Sequence, residues 1–86
     1  SHRTEGIELG HGMRLAEVSV PEDCLNQTLQ EAGLRQRLGM EVLYVLKGPY
    51  RVRKLASPEL KLEEGDRMMV MAEAETLQRL SGGHDP

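Results

Sequence analysis

An α+β domain with a four-stranded, mainly antiparallel sheet and two short helices is the fold class this sequence predicts. Three observations lead there. Two apolar runs, Val42-Leu43-Tyr44-Val45-Leu46 and Met68-Met69-Val70-Met71-Ala72, are unbroken and bounded by turn signals, as buried strands are. Between them and the first strand-like stretch lies Thr28-Leu29-Gln30-Glu31, which has the form of a capping box and starts a helix. Turn dipeptides, Gly48-Pro49 and Gly65-Asp66, then fall at short intervals.

Residues 1–12 hold three glycines, with only Ile7 and Leu9 as apolar residues of any size, and read as an arm or linker. Ser1-His2 resembles the remnant of a purification tag, which would make the chain a piece of a longer protein. Met13 to Val20 is strand-like: Ala16, Val18 and Val20 share one face by period-two alternation, and Arg14 falls on that face at its fraying end. Pro21 ends it, having no N–H for the ladder. After a polar connection anchored by Leu25, a short helix starts at Leu29 and buries Leu29 and Ala32. Gly33 weakens or ends that helix. One further turn follows, with Leu34 and Leu38 four apart, and Gly39 closes it.

Val42–Leu46, β-branched and aromatic, is predicted as a central strand. Tyr50 to Leu55 is a third strand, and its Arg51, Arg53 and Lys54 mark it as an edge or a polar face. Ser57-Pro58 breaks it, and Leu60 and Leu62 tuck a loop onto the core. Gly65, able to take positive φ, turns the chain into Met68–Ala72, read as a strand covered on both faces with neighbours on both sides. Ala74 to Leu80 is a short helix with Ala74, Leu77 and Leu80 on one side, and 82–86 is a tail. The expected organisation is therefore an arm over 1–12, one domain over 13–81 and a tail over 82–86.

Composition narrows the function classes. A single domain of 86 residues buries only about 60–65% of the surface its unfolded chain exposes, so pairing with a second copy is a natural source of further burial. Aromatics are 2% of the chain, so the core must be aliphatic. A net charge of −3 with 29% charged residues suits an ordinary soluble surface and argues against a nucleic acid polymer as partner. Cys24 is the only cysteine, so no intramolecular disulfide forms and a reducing, cytosolic setting is expected. No apolar run approaches the ~18–20 residues of a membrane span.

The order of these pieces resembles a known family. Glu17-Val18-Ser19-Val20-Pro21-Glu22, then Thr28-Leu29 through Gly39-Met40-Glu41-Val42-Leu43-Tyr44-Val45, then Ser57-Pro58, Leu62-Glu63-Glu64-Gly65-Asp66-Arg67-Met68 and a closing helix are similar in series and spacing to the TrkA-C domain, the C-terminal domain of regulators of potassium conductance. The likeness covers roughly residues 13–80. Asn26 stands where that family usually has Gly, and Ala72-Glu73 where it often has Gly. The resemblance implies a dimeric, ligand-sensing regulatory domain on the cytoplasmic, inner side of the membrane, part of a potassium channel, cation/proton antiporter or related transporter. Several members bind cyclic di-AMP between two copies of the domain, while others serve in assembly alone. By position, the ligand contacts implied here are Leu34, Arg35, Arg37, Leu38, Gly39 and Met40. The Asn and His that help hold the nucleotide in some members have no evident counterparts.

Weighed residue by residue, the chemistry favours binding over turnover. Arg35 and Arg37 carry forks that match phosphate geometry, against the plainer reading of solvated residues beside the Leu34/Leu38 side. Arg51, Arg53 and Lys54 read as edge-strand protection rather than an anion site, and Met40, Met68, Met69 and Met71 as core or dimer interface. Glu63, Glu64 and Asp66 read as a solvated turn rather than a metal site, and Cys24 as a small loop residue. All three histidines, His2, His11 and His84, lie in terminal segments; His11 reads as a solvated loop residue. No nucleophile–base pair and no Gly-rich phosphate loop can be assembled, so no catalytic residue, cofactor or metal is expected.

Overall fold

The computed structural model describes residues 6–82. Five strands form one antiparallel sheet: β1 (Ile7–Gly10), β2 (Met13–Ser19), β3 (Glu41–Lys47), β4 (Val52–Leu55) and β5 (Arg67–Glu73), in the order β1-β2-β5-β3-β4. The helices are α1 (Leu29–Ala32), α2 (Leu34–Leu38) and α3 (Ala74–Gly82), with a 3-10 turn at Glu22–Cys24. α1 and α2 are two turns of one unit broken at Gly33, whose φ of +59° is left-handed, so the expected pair of helical units is present.

The stretch that opens at Gly65 lies in the middle of the sheet. β5 pairs with β2 from Met13↔Glu73 to Ser19↔Arg67 and with β3 from Glu41↔Met71 to Leu46↔Arg67. Its neighbours on both sides are as expected. Its burial is not: Met68, Val70 and Ala72 are fully buried, whereas Arg67, Met69 and Met71 are only half-buried. The register explains this. Val18, Met68 and Val45 align across one face, as do Ala16, Val70 and Val42, and this face meets the helices. Leu77 of α3 and Leu34 of α2 join the same buried cluster, together with Leu62 and Cys24. The other face carries Glu17, Met69 and Tyr44 in a row, with Leu15 opposite Met71. The core is thus aliphatic and lies in one layer between sheet and helices.

Ile7–Gly10, expected as part of an arm, is a strand. It forms a hairpin with β2, pairing Ile7↔Leu15 and Glu8↔Arg14. The reversal runs through positive φ at Gly10, His11 and Gly12. Four residues with one glycine carry too little alternation to reveal a strand, and β1 is held by β2 rather than by a pattern of its own. β4 begins at Val52, later than the expected Tyr50, because Arg51 is left-handed at φ +56° and belongs to the turn. β4 does lie at the sheet edge.

Leu60 and Leu62 act as anchors. Leu62 is fully buried, and the loop is stitched to the chain ahead of α1 by Asn26 N–H to Leu62 O at 2.7 Å, Leu62 N–H to Gln27 O at 2.8 Å and Leu29 N–H to Leu60 O at 2.9 Å. Asn26 takes φ +68°, a left-handed conformation that Asn tolerates better than most side chains. Among the described residues no helix is long and apolar enough to cross a membrane.

Candidate functional site

The first helical unit is fixed at both ends by local chemistry. Thr28 Oγ1 accepts from Glu31 N–H at 3.1 Å, and Glu31 Oε1 accepts from Thr28 N–H at 3.0 Å, completing the capping box. At the other end Gly39, at φ +64°, donates its N–H to Arg35 O at 3.0 Å, and Met40 N–H reaches Leu34 O at 3.2 Å. This glycine cap turns the chain sharply from α2 into β3. On the opposite side Gln30 N–H donates to Pro58 O at 3.1 Å, which draws the Ala56–Pro58 loop alongside α1.

Between these walls runs an open groove of about 360 Å³. Leu34 and Met40, nearly fully buried, form an apolar floor, with Leu29 and Val42 beside them. Gln30, Arg35, Gln36, Glu41 and Ser57 supply the polar side chains of the lining. Arg35 Nε and Nη2 both donate to Glu41 Oε1, at 2.9 and 2.7 Å, and this ion pair is largely exposed.

The structure brings three of the six sequence-derived site residues onto this groove: Leu34, Arg35 and Met40. Gly39 shapes it as the cap, and Leu38 packs against the core. Arg37 does not line it. Its guanidinium folds back beneath the helix, where Nε donates to Ala32 O at 2.8 Å, Nη2 to Cys24 Sγ at 3.2 Å and Nη1 to Asp23 Oδ2 at 3.4 Å. Two positions apart on one turn, Arg35 and Arg37 point to different sides. Sequence reasoning did not single out Glu41, Gln30 or the 56–58 wall as groove residues. A signal existed in Pro58 and in the charge of Glu41 next to the cap, but the pairing depends on the left-handed turn at Gly39.

Several other charged groups are engaged away from the groove. Glu17 receives Arg51 at 3.0 and 3.2 Å and Arg67 at 3.0 Å; the Arg51 hydrogen bonds lead in holding its carboxyl below the usual range, against an opposing effect of burial. Arg53 lies over the Tyr44 ring at 5.6 Å. Arg51, in the turn before β4, and Arg53, on β4, are thus engaged with neighbours on the sheet. Asp66, expected in a solvated turn, is buried. It accepts from Lys47 Nζ, from Gly48 N–H at 3.1 Å and from Glu63 N–H at 2.9 Å. Burial acts to raise its pKa, but Lys47 and the two backbone donors outweigh it and the net shift is downward. Cys24 is fully buried, and that burial, with Asp23 beside it, pushes its thiol up. His11 is exposed in the β1–β2 turn, and His2 and His84 lie outside the described residues. Among the described residues no group of acidic, histidine or cysteine side chains gathers with metal-binding geometry.

Fold and groove define a small antiparallel α+β module with one helical face and one open sheet face. The chain belongs to the TrkA-C domain family, whose model matches residues 15–81. No curated protein matches the sequence. Among solved structures it is similar to the RCK domain of the GsuK channel, with a TM-score of 0.68 and 21% identity over 80% of this chain and 15% of that one. It is also similar to the GsuK channel bound to NAD, with a TM-score of 0.66 and 24% identity over 80% of this chain and 13% of that one. At these identities the likeness is one of fold, and the chain spans a small part of either neighbour.

Proposed function

We propose that this chain is a cytoplasmic regulatory domain of a potassium or other cation channel or of a cation/proton antiporter, working at the inner face of the membrane. In this reading it acts as a homodimer and binds a small anionic ligand, cyclic di-AMP being the first candidate. One observation carries the reading. In this TrkA-C domain the end of the short helix borders a groove with an apolar floor, which suits a base, and with the Arg35 guanidinium at its lip, which suits a phosphate. The domain acts by binding rather than turnover in this account, through Leu34, Arg35 and Met40 directly and Gly39 as the cap that places them.

The dimer has its own support. Leu43 and Leu55 are exposed, at 42% and 77%, and Ala56 N–H donates to Leu43 O, so both lie beside the Ala56–Pro58 wall of the groove. A second copy meeting the domain there would cover them and bring two grooves together. The same exposed residues favour a second reading, an assembly module without a small-molecule ligand.

Isothermal titration of the domain separates the two. Cyclic di-AMP, with ATP and NAD as comparisons (a fold neighbour is a channel bound to NAD), is expected to bind at one ligand per dimer with micromolar or tighter affinity. Arg35→Ala is expected to weaken that binding by about tenfold or more, the worth of one charge-assisted contact. An absence of heat with every ligand, from a folded dimer, would leave the assembly reading.

A further inference from the structure

We propose that Glu41 sets the selectivity of the groove by competing with an incoming anion for Arg35. The inference rests on the groove being the ligand site. Nε and Nη2 form the side of a guanidinium that grips an oxyanion, and here both end on Glu41 Oε1. Among the residues lining the groove, Arg35 and Glu41 are the charged pair, so its formal charge is zero rather than positive. A phosphate at the lip meets a guanidinium already neutralised and a carboxylate next to it. To take the Nε/Nη2 side it must displace Glu41, and it then sits against the freed negative charge.

The side chains of Arg35 and Glu41 are 73% and 40% exposed, so the pair is of the weak, reversible kind that a ligand can break. Other carboxylates near the helix do not share this role: Asp23 faces Arg37, and Glu31 closes the capping box. The penalty grows with the charge of the ligand, because repulsion by Glu41 acts on each added negative charge. Glu41 therefore disfavours polyphosphates more than phosphodiesters, and makes Arg35 a discriminating contact rather than a general anion trap.

The test is titration of wild type, Glu41→Gln and the double variant Arg35→Ala/Glu41→Gln with cyclic di-AMP and with ATP, at low and high salt. Glu41→Gln keeps the shape of the side chain, and equal melting temperatures establish that the fold is unchanged. Cyclic di-AMP is expected to bind Glu41→Gln roughly fivefold more tightly than wild type, ATP is expected to gain more, and both gains shrink at high salt. The double variant is expected to lose the gain. Equal or weaker binding by Glu41→Gln, with wild type still binding, overturns the role of Glu41 and leaves the groove as the ligand site. Failure of both ligands to bind either wild type or Glu41→Gln overturns the ligand reading itself and this inference with it.

Discussion

The Asp66 carboxylate stays ionised although only 3% of the residue is exposed, because its oxygens receive Lys47 Nζ and the N–H groups of Gly48 and Glu63. It thereby ties the turn into β5 to the end of β3. The pH dependence follows from the sign of its shift. Its folded pKa lies below the unfolded value despite burial, so its stabilisation is present above the ordinary aspartate range and is lost as pH falls through the folded value. Glu17, lowered chiefly by Arg51, acts in the same direction. Lys47 has the opposite sense: burial lowers its pKa, Asp66 and Glu63 raise it further, and its contribution fades only as pH rises above the ordinary lysine range. Asp66→Asn is expected to cost about 2 kcal/mol at neutral pH, since it takes the buried carboxylate from the Lys47 ammonium and leaves it only the more exposed Glu63 as a charge partner. It should also flatten the acid limb of stability against pH, measured by urea unfolding at neutral and acid pH. A variant with an unchanged acid limb would move the origin of that limb to other carboxylates. The sequence places Asp66 in a turn but hides its burial, because Lys47 lies 19 residues away.

At the scale of elements, local signals were legible where a few neighbouring residues do the work. The capping box at Thr28 and Glu31, the glycine cap at Gly39 and the turn at Gly65 are all present as read. Gly65 takes φ +89°, and no atom lies within 4 Å of where a Cβ would stand. An added Cβ meets no clash there, so the cost of alanine is one of backbone conformation. Gly65→Val is expected to lower stability by about 2 kcal/mol and Gly65→Ala by less, as thermal melts would register. An unchanged melting temperature for the valine variant would show that the turn relaxes at no cost. β1 illustrates the converse. Its apolar content is Ile7 and Leu9, its last residue is glycine, and its pairing comes from β2 across a turn of three positive-φ residues.

At the scale of the whole molecule, the fold closes on itself. Its radius of gyration is 12.3 Å, against about 12 Å for a compact chain of this length. The apolar side chains left outside are therefore surplus to its own core. Ile7, Val52 and Leu55 are more than half exposed, and Met69 and Met71 are half-buried on the sheet face away from the helices. Light scattering is expected to give twice the 9.6 kDa chain mass. Leu55→Asp is expected to shift the population towards monomer while leaving the monomer fold intact, because Leu55 contributes little to the core. A wild-type monomer at high concentration would remove the dimer from the functional account.

Strands β2, β3 and β5, the broken helix, its caps and the turn at Gly65 were legible in the sequence because each is written in residues a few positions apart, and the family was legible in the order and spacing of those pieces along the chain. Leu34, Arg35 and Met40 follow from the resemblance, by position, and the structure sets these three on one groove. Tertiary structure decided the rest. It turned Arg37 back onto Ala32 and Cys24, set Glu41 against Arg35, buried Asp66 against Lys47 and left one face of β5 partly open. These outcomes depend on how the glycine cap redirects the chain and on which sheet face the helices cover. Side chains two residues apart on one short helix then part company according to what lies on either side of it.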